Sequence, residues 1–192
     1  MHIYVSGVPG VGKSSLCRSL AVSRPDRFVH VEMGRLISEA SQSSLDRDEL
    51  RAHPHRYVNS LVLGRANQAL LEQLWEIERG GQTAVVEGRA VVRDRFGLML
   101  MPASEDHFAR ITYGCIVHLY APSSVIQGRI SGDLKSRWEV NSIELEAHQN
   151  LELSVSVAHA LTYAVPLYCV DASGPAETVL NAALDVTAGI LA

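Results

Sequence analysis

Apolar runs and helical patterns alternate along the chain, and this alternation predicts parallel strands joined by helices. The runs expected to form strands are 3–5, 27–32, 83–87, 114–120 and 166–170. Strands that alternate with helices favour a parallel sheet covered by helices on both faces. The pattern contains no internal repeat and no linker that would divide the chain. It therefore predicts a single α/β domain over residues 1–192, with three layers and a five-stranded parallel sheet.

The stretches between these runs predict the helices and leave one segment without a pattern. After a first helix behind residue 12, helices are predicted over 34–40, 54–79, 122–130, 143–163 and 176–191, with a further helical segment opening in the charged stretch 46–51. Pro54 is expected in the first turn of the long helix, which Gly80 and Gly81 end. Residues 88–102 show no strong periodicity, and a connection of that length is typically functional or disordered.

Two stretches interrupt the strand–helix order and are predicted to be insertions. One spans about 33–63 and the other about 131–141. Open α/β sheets bind their ligands at the carboxyl ends of the strands. We expect both insertions to lie at that edge.

The composition is ordinary for a globular enzyme and excludes several classes of protein. With 192 residues, of which 47% are hydrophobic and 20% charged, the chain can bury a core without disulfides or a structural metal. A formal net charge of -4 at pH 7 argues against nucleic-acid binding driven by bulk electrostatics. Neither a disordered nor a fibrous class is indicated.

The cysteines, the histidines and the chain start favour an intracellular protein without a zinc site. Cys17, Cys115 and Cys169 form no C-x-x-C pair, and the H-x-H pair at 53 and 55 does not place two ligands on one helical face. The first strand begins at about residue 2, and no apolar run reaches the roughly 18 residues that span a bilayer. We expect a cytoplasmic protein with neither a nucleic-acid nor a membrane partner.

A glycine-rich motif near the chain start predicts a nucleotide site. Residues 7–14 read G-V-P-G-V-G-K-S, a complete match to the phosphate-loop pattern G-x-x-x-x-G-K-[ST] between a strand and a helix. The residues predicted to bind the nucleotide are Gly7, Val8, Pro9, Gly10, Val11, Gly12, Lys13, Ser14 and Ser15. Lys13 should reach the β- and γ-phosphates, and Ser14 should place its hydroxyl on Mg²⁺, with Ser15 a weaker second candidate. The motif predicts phosphate binding, with ATP or GTP as the nucleotide.

Several arginines fall where phosphoryl transfer would use them. The transfer of a γ-phosphoryl group needs two oxygens held in line, a metal, and cations over the developing charge. Arg89 follows the third predicted strand, Arg129 ends a helix, and Arg137 lies in the second insertion. Arg47 and Arg51 lie in the first insertion. Because a guanidinium binds phosphate oxygens in pairs, this set points to a phosphorylated substrate.

One acid is a candidate for catalysis. Glu87 ends an otherwise apolar strand that should neighbour the phosphate loop. Its carboxylate could hold the Mg²⁺ shell or orient an acceptor hydroxyl. Both roles remain open from the sequence.

The chain resembles the archaeal type of adenylate kinase and related P-loop nucleotide kinases over nearly its full length. The resemblance rests on the phosphate loop, D-R-D-E-L-R at 46–51, V-V-E-G-R at 85–89, E-A-H-Q at 146–149 and A-L-T-Y at 160–163. It departs from the family after the third strand, at 88–92, and at Leu153, where an arginine is common. These departures concern acceptor recognition and lid closure.

The resemblance implies a fold and a reaction. The fold would be a five-stranded parallel core with a monophosphate-binding insertion at about 33–63 and a short lid at about 131–141. The reaction would convert MgATP and a nucleoside monophosphate into two diphosphates. Arg51 and Arg89 would lie near the acceptor phosphate, with Arg129 and Arg137 over the donor.

Two other functions compete with this hypothesis. In a kinase for a nucleoside or another small hydroxyl compound, Glu87 would act as the base toward the acceptor oxygen. In a nucleotide-dependent switch or assembly NTPase, slow hydrolysis would need no acceptor. The arginines around the insertions favour a nucleoside monophosphate or similar phosphorylated acceptor.

Overall fold

A computed structural model describes residues 1–41, 58–94, 96–101, 109–132 and 141–188. Its strands are β1 (His2–Ser6), β2 (Phe28–Glu32), β3 (Thr83–Glu87), β4 (Val91–Asp94), β5 (Gly97–Leu100), β6 (Tyr113–Tyr120) and β7 (Leu167–Asp171). Its helices are α1 (Lys13–Ser23), α2 (Met33–Ala40), α3 (Ser60–Arg79), α4 (Ser123–Gly132), α5 (Ser142–Tyr163) and α6 (Ala176–Ala188).

Five strands form one parallel sheet in the order β2-β3-β1-β6-β7. The central strand β1 pairs with β3 on one side and β6 on the other, so that Val5 lies opposite both Glu87 and Val117. Because the strands are parallel, their carboxyl ends share one edge, where the segments after β1, β3 and β7 meet. The predicted five-stranded parallel sheet is confirmed.

The side chains of β1 alternate between two cores. Ile3 and Val5 lie in a cluster with residues of α1, α4 and α6 on one face of the sheet. Tyr4 lies in a second cluster with residues of α2 and α3 on the opposite face. This period of two places apolar surface on both faces of the sheet, and the helices that cover it give the three predicted layers.

The long helix begins later than predicted. Helix α3 starts at Ser60, because the side chain of Asn59 accepts a hydrogen bond from the amide of Val62 at 3.0 Å. Asparagine is among the strongest N-cap residues, and this cap sets the start of the described helix. Pro54, the charged stretch 46–51 and the rest of 42–57 lie outside the described residues.

The stretch 88–102, predicted to be an irregular connection, contains a hairpin. Strands β4 and β5 pair antiparallel, with Val91 opposite Leu100. The turn uses a side-chain oxygen of Asp94, which accepts from the amide of Phe96 at 2.7 Å, and Gly97 with φ of 123°. Strands of four residues are too short to show a clear alternation, and the sequence pattern therefore missed them.

The remaining elements agree with the prediction to within two residues where they are described. Helix α4 extends to Gly132, so the second insertion begins inside this helix, while residues 133–140 lie outside the described residues. Helix α6 is described to Ala188. Within the described ranges, no helix has both the length and the apolar character needed to cross a membrane.

Candidate active site

The phosphate loop joins β1 to α1 and depends on glycine for its shape. Gly7, Gly10 and Gly12 have φ values of 135°, 79° and 113°, in the left-handed region that strains residues with a side chain. A Cβ atom on Gly7 would also lie 2.6 Å from the carbonyl oxygen of Leu119 in β6. Helix α1 begins directly after the loop, at Lys13, and its first amides are donors for an anion. The loop therefore has the form that the motif predicted.

Lys13 is held inside the loop. Its ammonium group donates to the carbonyl oxygens of Gly7 at 2.5 Å and Val8 at 3.0 Å. Burial, reinforced by the positive charge of Arg89, lowers the pKa of Lys13 to about 8. A buried cation beside a second cation is stabilised by an anion, which is what a phosphate chain would supply.

Ser14 and Glu87, predicted to share a metal site, are in contact. The hydroxyl of Ser14 donates to a carboxylate oxygen of Glu87 at 2.6 Å. Burial by itself raises the pKa of Glu87, but hydrogen bonds from His30 and Ser14 and the charge of Lys13 outweigh it and lower that pKa. Glu87 is therefore a carboxylate at neutral pH. A hydroxyl and a carboxylate side by side are the oxygen donors that Mg²⁺ prefers.

His30 is a neighbour of Glu87 that the sequence pattern did not identify. Its Nε2 lies 3.0 Å from the second carboxylate oxygen of Glu87. In the sheet, His30 pairs with Val85, two residues before Glu87, which puts both side chains on the same face. The register between β2 and β3 brings His30 and Glu87 together, and no local sequence motif predicts this contact.

Cys17 completes a small cluster under the same carboxylate. One potential ligand atom from each of Cys17, His30 and Glu87 lies within 4.8 Å of the others. Burial, with the nearby charge of Glu87, raises the pKa of the Cys17 thiol. The thiol is therefore neutral and fully buried, as expected of a core residue.

Arg89 lies directly after β3, at the same edge of the sheet. The amide of Gly88 donates to the carbonyl of Val5 in β1 at 3.1 Å, which keeps the chain beside the phosphate loop. The charge of Arg89 lowers the pKa of Lys13, second to burial. Arg89 is therefore near enough to Lys13 for their charges to interact, and its role toward an acceptor stays a prediction.

Arg129 contacts the phosphate loop through main-chain oxygens. Its guanidinium donates to the carbonyl of Val11 at 2.9 Å and to that of Ala172, just after β7, at 2.7 Å. It thus ties the loop, α4 and the end of β7 together. The expectation that Arg129 binds the donor phosphates stays a prediction. Arg51 and Arg137, the other predicted arginines, lie outside the described residues.

Helix α5 presents polar side chains that the sequence reasoning missed. His148, Glu152 and Ser156 are all buried, and their spacing of four places them on one face of the helix. Polar residues at core spacing within a helix are a signal that could have identified them. The carboxylate of Glu152 accepts hydrogen bonds from the amides of Ala90 and Val91, right after Arg89.

A second buried network lies beneath the phosphate loop. The hydroxyl of Ser6, the last residue of β1, is 3.0 Å from Nδ1 of His118 and 2.9 Å from the hydroxyl of Ser156. Burial, with a smaller effect of the charge of Lys13, lowers the pKa of His118 to about 4. His118 is therefore neutral, and the network links β1, β6 and α5.

Comparison with known sequences supports a nucleotide-binding protein. A family model described as "AAA domain" matches residues 6–145, which is more than half of the chain. The chain is 28% identical over 163 residues to an adenylate kinase of Pyrococcus furiosus, covering 83% of this chain and 80% of that protein. It is also 28% identical over 142 residues to a Lon protease of Anaeromyxobacter dehalogenans, covering 70% of this chain but only 16% of the protease.

Comparison with solved structures establishes the fold. The structure of a gluconokinase from Sinorhizobium meliloti superposes with a TM-score of 0.56 at 18% identity, covering 99% of this chain and 93% of that one. A sugar kinase from Janibacter superposes with a TM-score of 0.55 at 18% identity, covering 98% and 96% of the two chains. The predicted three-layer α/β fold of the P-loop kinase type is confirmed.

Proposed function

The chain belongs to the AAA-domain family, and on that premise we propose that it transfers the γ-phosphoryl group of ATP to a small phosphorylated acceptor, foremost a nucleoside monophosphate. The prediction of a P-loop kinase-like protein is confirmed by this family and by the adenylate kinase and sugar kinase similarities. The choice of donor and acceptor is the proposal.

One observation carries it: the exposed cation Arg89 follows an amide, that of Gly88, which is hydrogen-bonded at 3.1 Å to Val5 in the strand that leads into the phosphate loop with the buried Lys13. Lys13 in the loop and Arg89 after β3 are close enough for the charge of Arg89 to lower the pKa of Lys13. Ser14, which follows Lys13 in α1, donates at 2.6 Å to Glu87, which ends β3 two residues before Arg89. A protein that only bound a nucleotide would not need a second cation beside the phosphate lysine.

The donor side would bind through the main chain and Lys13. Amides of the loop and the first turn of α1 would hold the phosphate oxygens, and Lys13 would exchange its carbonyl partners for the β- and γ-phosphates. Ser14 and Glu87 would hold Mg²⁺, which supplies charge neutralisation when bound. With the metal and Lys13 in place, the γ-phosphorus is oriented for in-line attack by an acceptor oxygen.

The acceptor side would use Arg89 to bind an anion. A guanidinium next to the donor site can hold a phosphate in the paired geometry that suits it. Arg51 would add to this site, and Arg129 and Arg137 would close over the donor. A closed site excludes water, which would otherwise compete with the acceptor as nucleophile.

A second candidate is supported by the state of Glu87. Its pKa is lowered, and the resulting carboxylate is hydrogen-bonded to His30 at 3.0 Å. Such a carboxylate can orient an acceptor hydroxyl and take its proton. The second candidate is therefore a kinase for a small hydroxyl compound, the class of acceptor that a gluconokinase or sugar kinase takes.

The test measures ADP formation with ATP against a panel of nucleoside monophosphates, nucleosides and small neutral alcohols, in the wild type, Arg89→Ala and Glu87→Gln. With a phosphorylated acceptor, Arg89→Ala should raise the acceptor KM by about tenfold or more. With a neutral acceptor, Glu87→Gln should instead lower kcat with little change of acceptor KM. Arg65→Ala, which removes an exposed arginine of α3, is the matched control and should change neither.

A different result would reject both kinase proposals. If ADP forms slowly at one rate whatever acceptor is present, the protein is a nucleotide hydrolase or switch. The shared similarity to Lon proteases makes this a necessary arm of the panel.

A further inference from the structure

The strongest unassigned feature is a buried carboxylate in the polar face of α5. Glu152 is 1% exposed. A buried charge is costly unless it is paired or hydrogen-bonded, and buried glutamates are accordingly rare. Its contacts therefore need an explanation.

The contacts of Glu152 are made to the segment that follows β3. Oε1 accepts from the amide of Ala90 at 2.9 Å, and Oε2 accepts from the amides of Ala90 and Val91 at 3.2 and 2.7 Å. Both oxygens act as acceptors, which is the pattern of an ionised carboxylate. His148, one turn earlier on α5, lies with its Nε2 3.2 Å from the carbonyl oxygen of Val91.

These contacts fix the main chain on the carboxyl side of Arg89, and a different contact fixes the amino side. Gly88 donates to the carbonyl of Val5 in the central strand at 3.1 Å. Ala90 donates to Glu152 in α5. Arg89 is the single residue between these two anchors, so the position of its Cα atom is set by β1 and α5 together.

The charges agree with this arrangement. Burial raises the pKa of Glu152, and the hydrogen bonds from Ala90 and Val91 and the charges of Lys13 and Arg89 act against that rise. The carboxylate therefore counters the repulsion between the buried Lys13 and the exposed Arg89. A neutral side chain of the same shape would hold the amides less well and would leave that repulsion in place.

We propose that Glu152 is a positioning residue, which holds the amides of Ala90 and Val91 so that the Arg89 guanidinium faces the anionic group of the acceptor. This inference rests on the proposed function, because it assigns Arg89 to the acceptor. Glu152 itself does not touch substrate. It acts through the main chain of its neighbours.

The kinetic test uses Glu152→Gln, which keeps the shape of the side chain but replaces one acceptor oxygen with a donor. Acceptor KM should rise by about tenfold, as expected when a supporting hydrogen bond to a binding group is lost, while ATP KM changes less than about threefold. In the Arg89→Ala background the same substitution should have almost no further effect on acceptor KM, because the two residues act as a unit.

Glu146→Gln is the matched control, since it removes the same charge from an exposed position of the same helix. It should leave both KM values unchanged. If Glu152→Gln does not fold, Glu152→Asp takes its place. This variant keeps the negative charge but moves the carboxylate away from the two amides by the length of one methylene group, so its acceptor KM should still rise. An acceptor KM equal to that of the wild type in a folded Glu152 variant overturns the proposal, as does an equal loss of ATP and acceptor binding.

A spectroscopic readout separates this proposal from the proposed function. The backbone and Nε–Hε NMR resonances of Arg89 should shift in Glu152→Gln and stay in place in Glu146→Gln. Wild-type protein that transfers phosphate to no acceptor would refute the kinase proposal but would leave this measurement meaningful. Arg89 resonances that do not move would refute the positioning role, whatever the acceptor is.

Discussion

The phosphate loop and the acceptor side of the site are built in opposite ways. The loop is one contiguous segment, in which main-chain groups and glycines do most of the work and Lys13 bonds to carbonyls five and six residues away. The acceptor side joins residues from separate elements. Beside Arg89, Ala90 meets Glu152 across 62 residues of sequence, and Val91 meets it across 61.

This difference has a consequence for function. A contiguous loop keeps its geometry wherever a strand and a helix can frame it, so it serves many activities. The proposed acceptor side depends on the docking of α5 against the segment after β3. We therefore expect the loop to account for what the protein shares with its relatives, and the proposed acceptor side for what distinguishes it.

The largest expected effect comes from the loop itself. Lys13→Ala should lower phosphoryl transfer by about a thousandfold or more, because it removes a buried charge aimed at the developing negative charge of the transition state. The fold should persist, since the variant also removes a costly buried cation. Transfer rate and thermal unfolding would be measured together. Arg18→Ala, on the exposed side of the same helix, should retain activity; activity retained by Lys13→Ala as well would refute the assigned role.

A pair of glycine substitutions tests whether the two sides are separable. Gly7→Ala would place a Cβ 2.6 Å from a main-chain oxygen of β6 at a φ of 135°, and Gly88→Ala would place one 2.3 Å from the Tyr4 hydroxyl. Each should cost about 3 kcal/mol of unfolding free energy, because neither neighbour can move easily. Gly7→Ala should weaken ATP binding, whereas Gly88→Ala should raise acceptor KM.

The control for these two is Gly64→Ala, whose new Cβ meets open space on helix α3. It should stabilise the protein by up to about 1 kcal/mol, because alanine favours the helix. Denaturant unfolding would give the unfolding free energy of the three variants, and calorimetric titration would give their ATP affinity. Steady-state kinetics would give the acceptor KM. If Gly88→Ala weakened ATP binding as strongly as Gly7→Ala, the division into two sides would be incorrect.

At neutral pH the smallest effect concerns the buried network under the loop, which affects stability only as the pH falls. Burial lowers the pKa of His118 from 6.5 to about 4, so the unfolded chain binds a proton between these pH values and the folded chain does not. Stability contributed by the neutral histidine is therefore present above pH 6.5 and lost as the pH falls toward 4, by at most about 1.4 kcal/mol per pH unit.

His118→Gln should flatten this loss, measured as the unfolding free energy at several pH values between 7 and 4. Part of the slope should remain, because burial also lowers the pKa of His2 to about 4. A variant whose stability falls with pH as steeply as that of the wild type would show that His118 is not the titrating group.

How much of the site was predictable follows the same division. The loop residues and the pairing of Ser14 with Glu87 were predicted, because a strict motif and a strand-end acid signal them. His30 and Glu152 were missed. The contact of His30 depends on strand register, and that of Glu152 depends on helix docking. The local sequence around these two residues predicts neither.

The fold shows the same limits on a larger scale. The sequence by itself determined the order of strands and helices, the parallel sheet and the phosphate loop, because each rests on periodicity or on conformations that only glycine adopts. Tertiary structure alone decided the contact of His30 with Glu87 and the carboxylate of Glu152 on the amides beside Arg89. These features depend on contacts between residues far apart in the chain, whose free energy appears only after the elements have packed together.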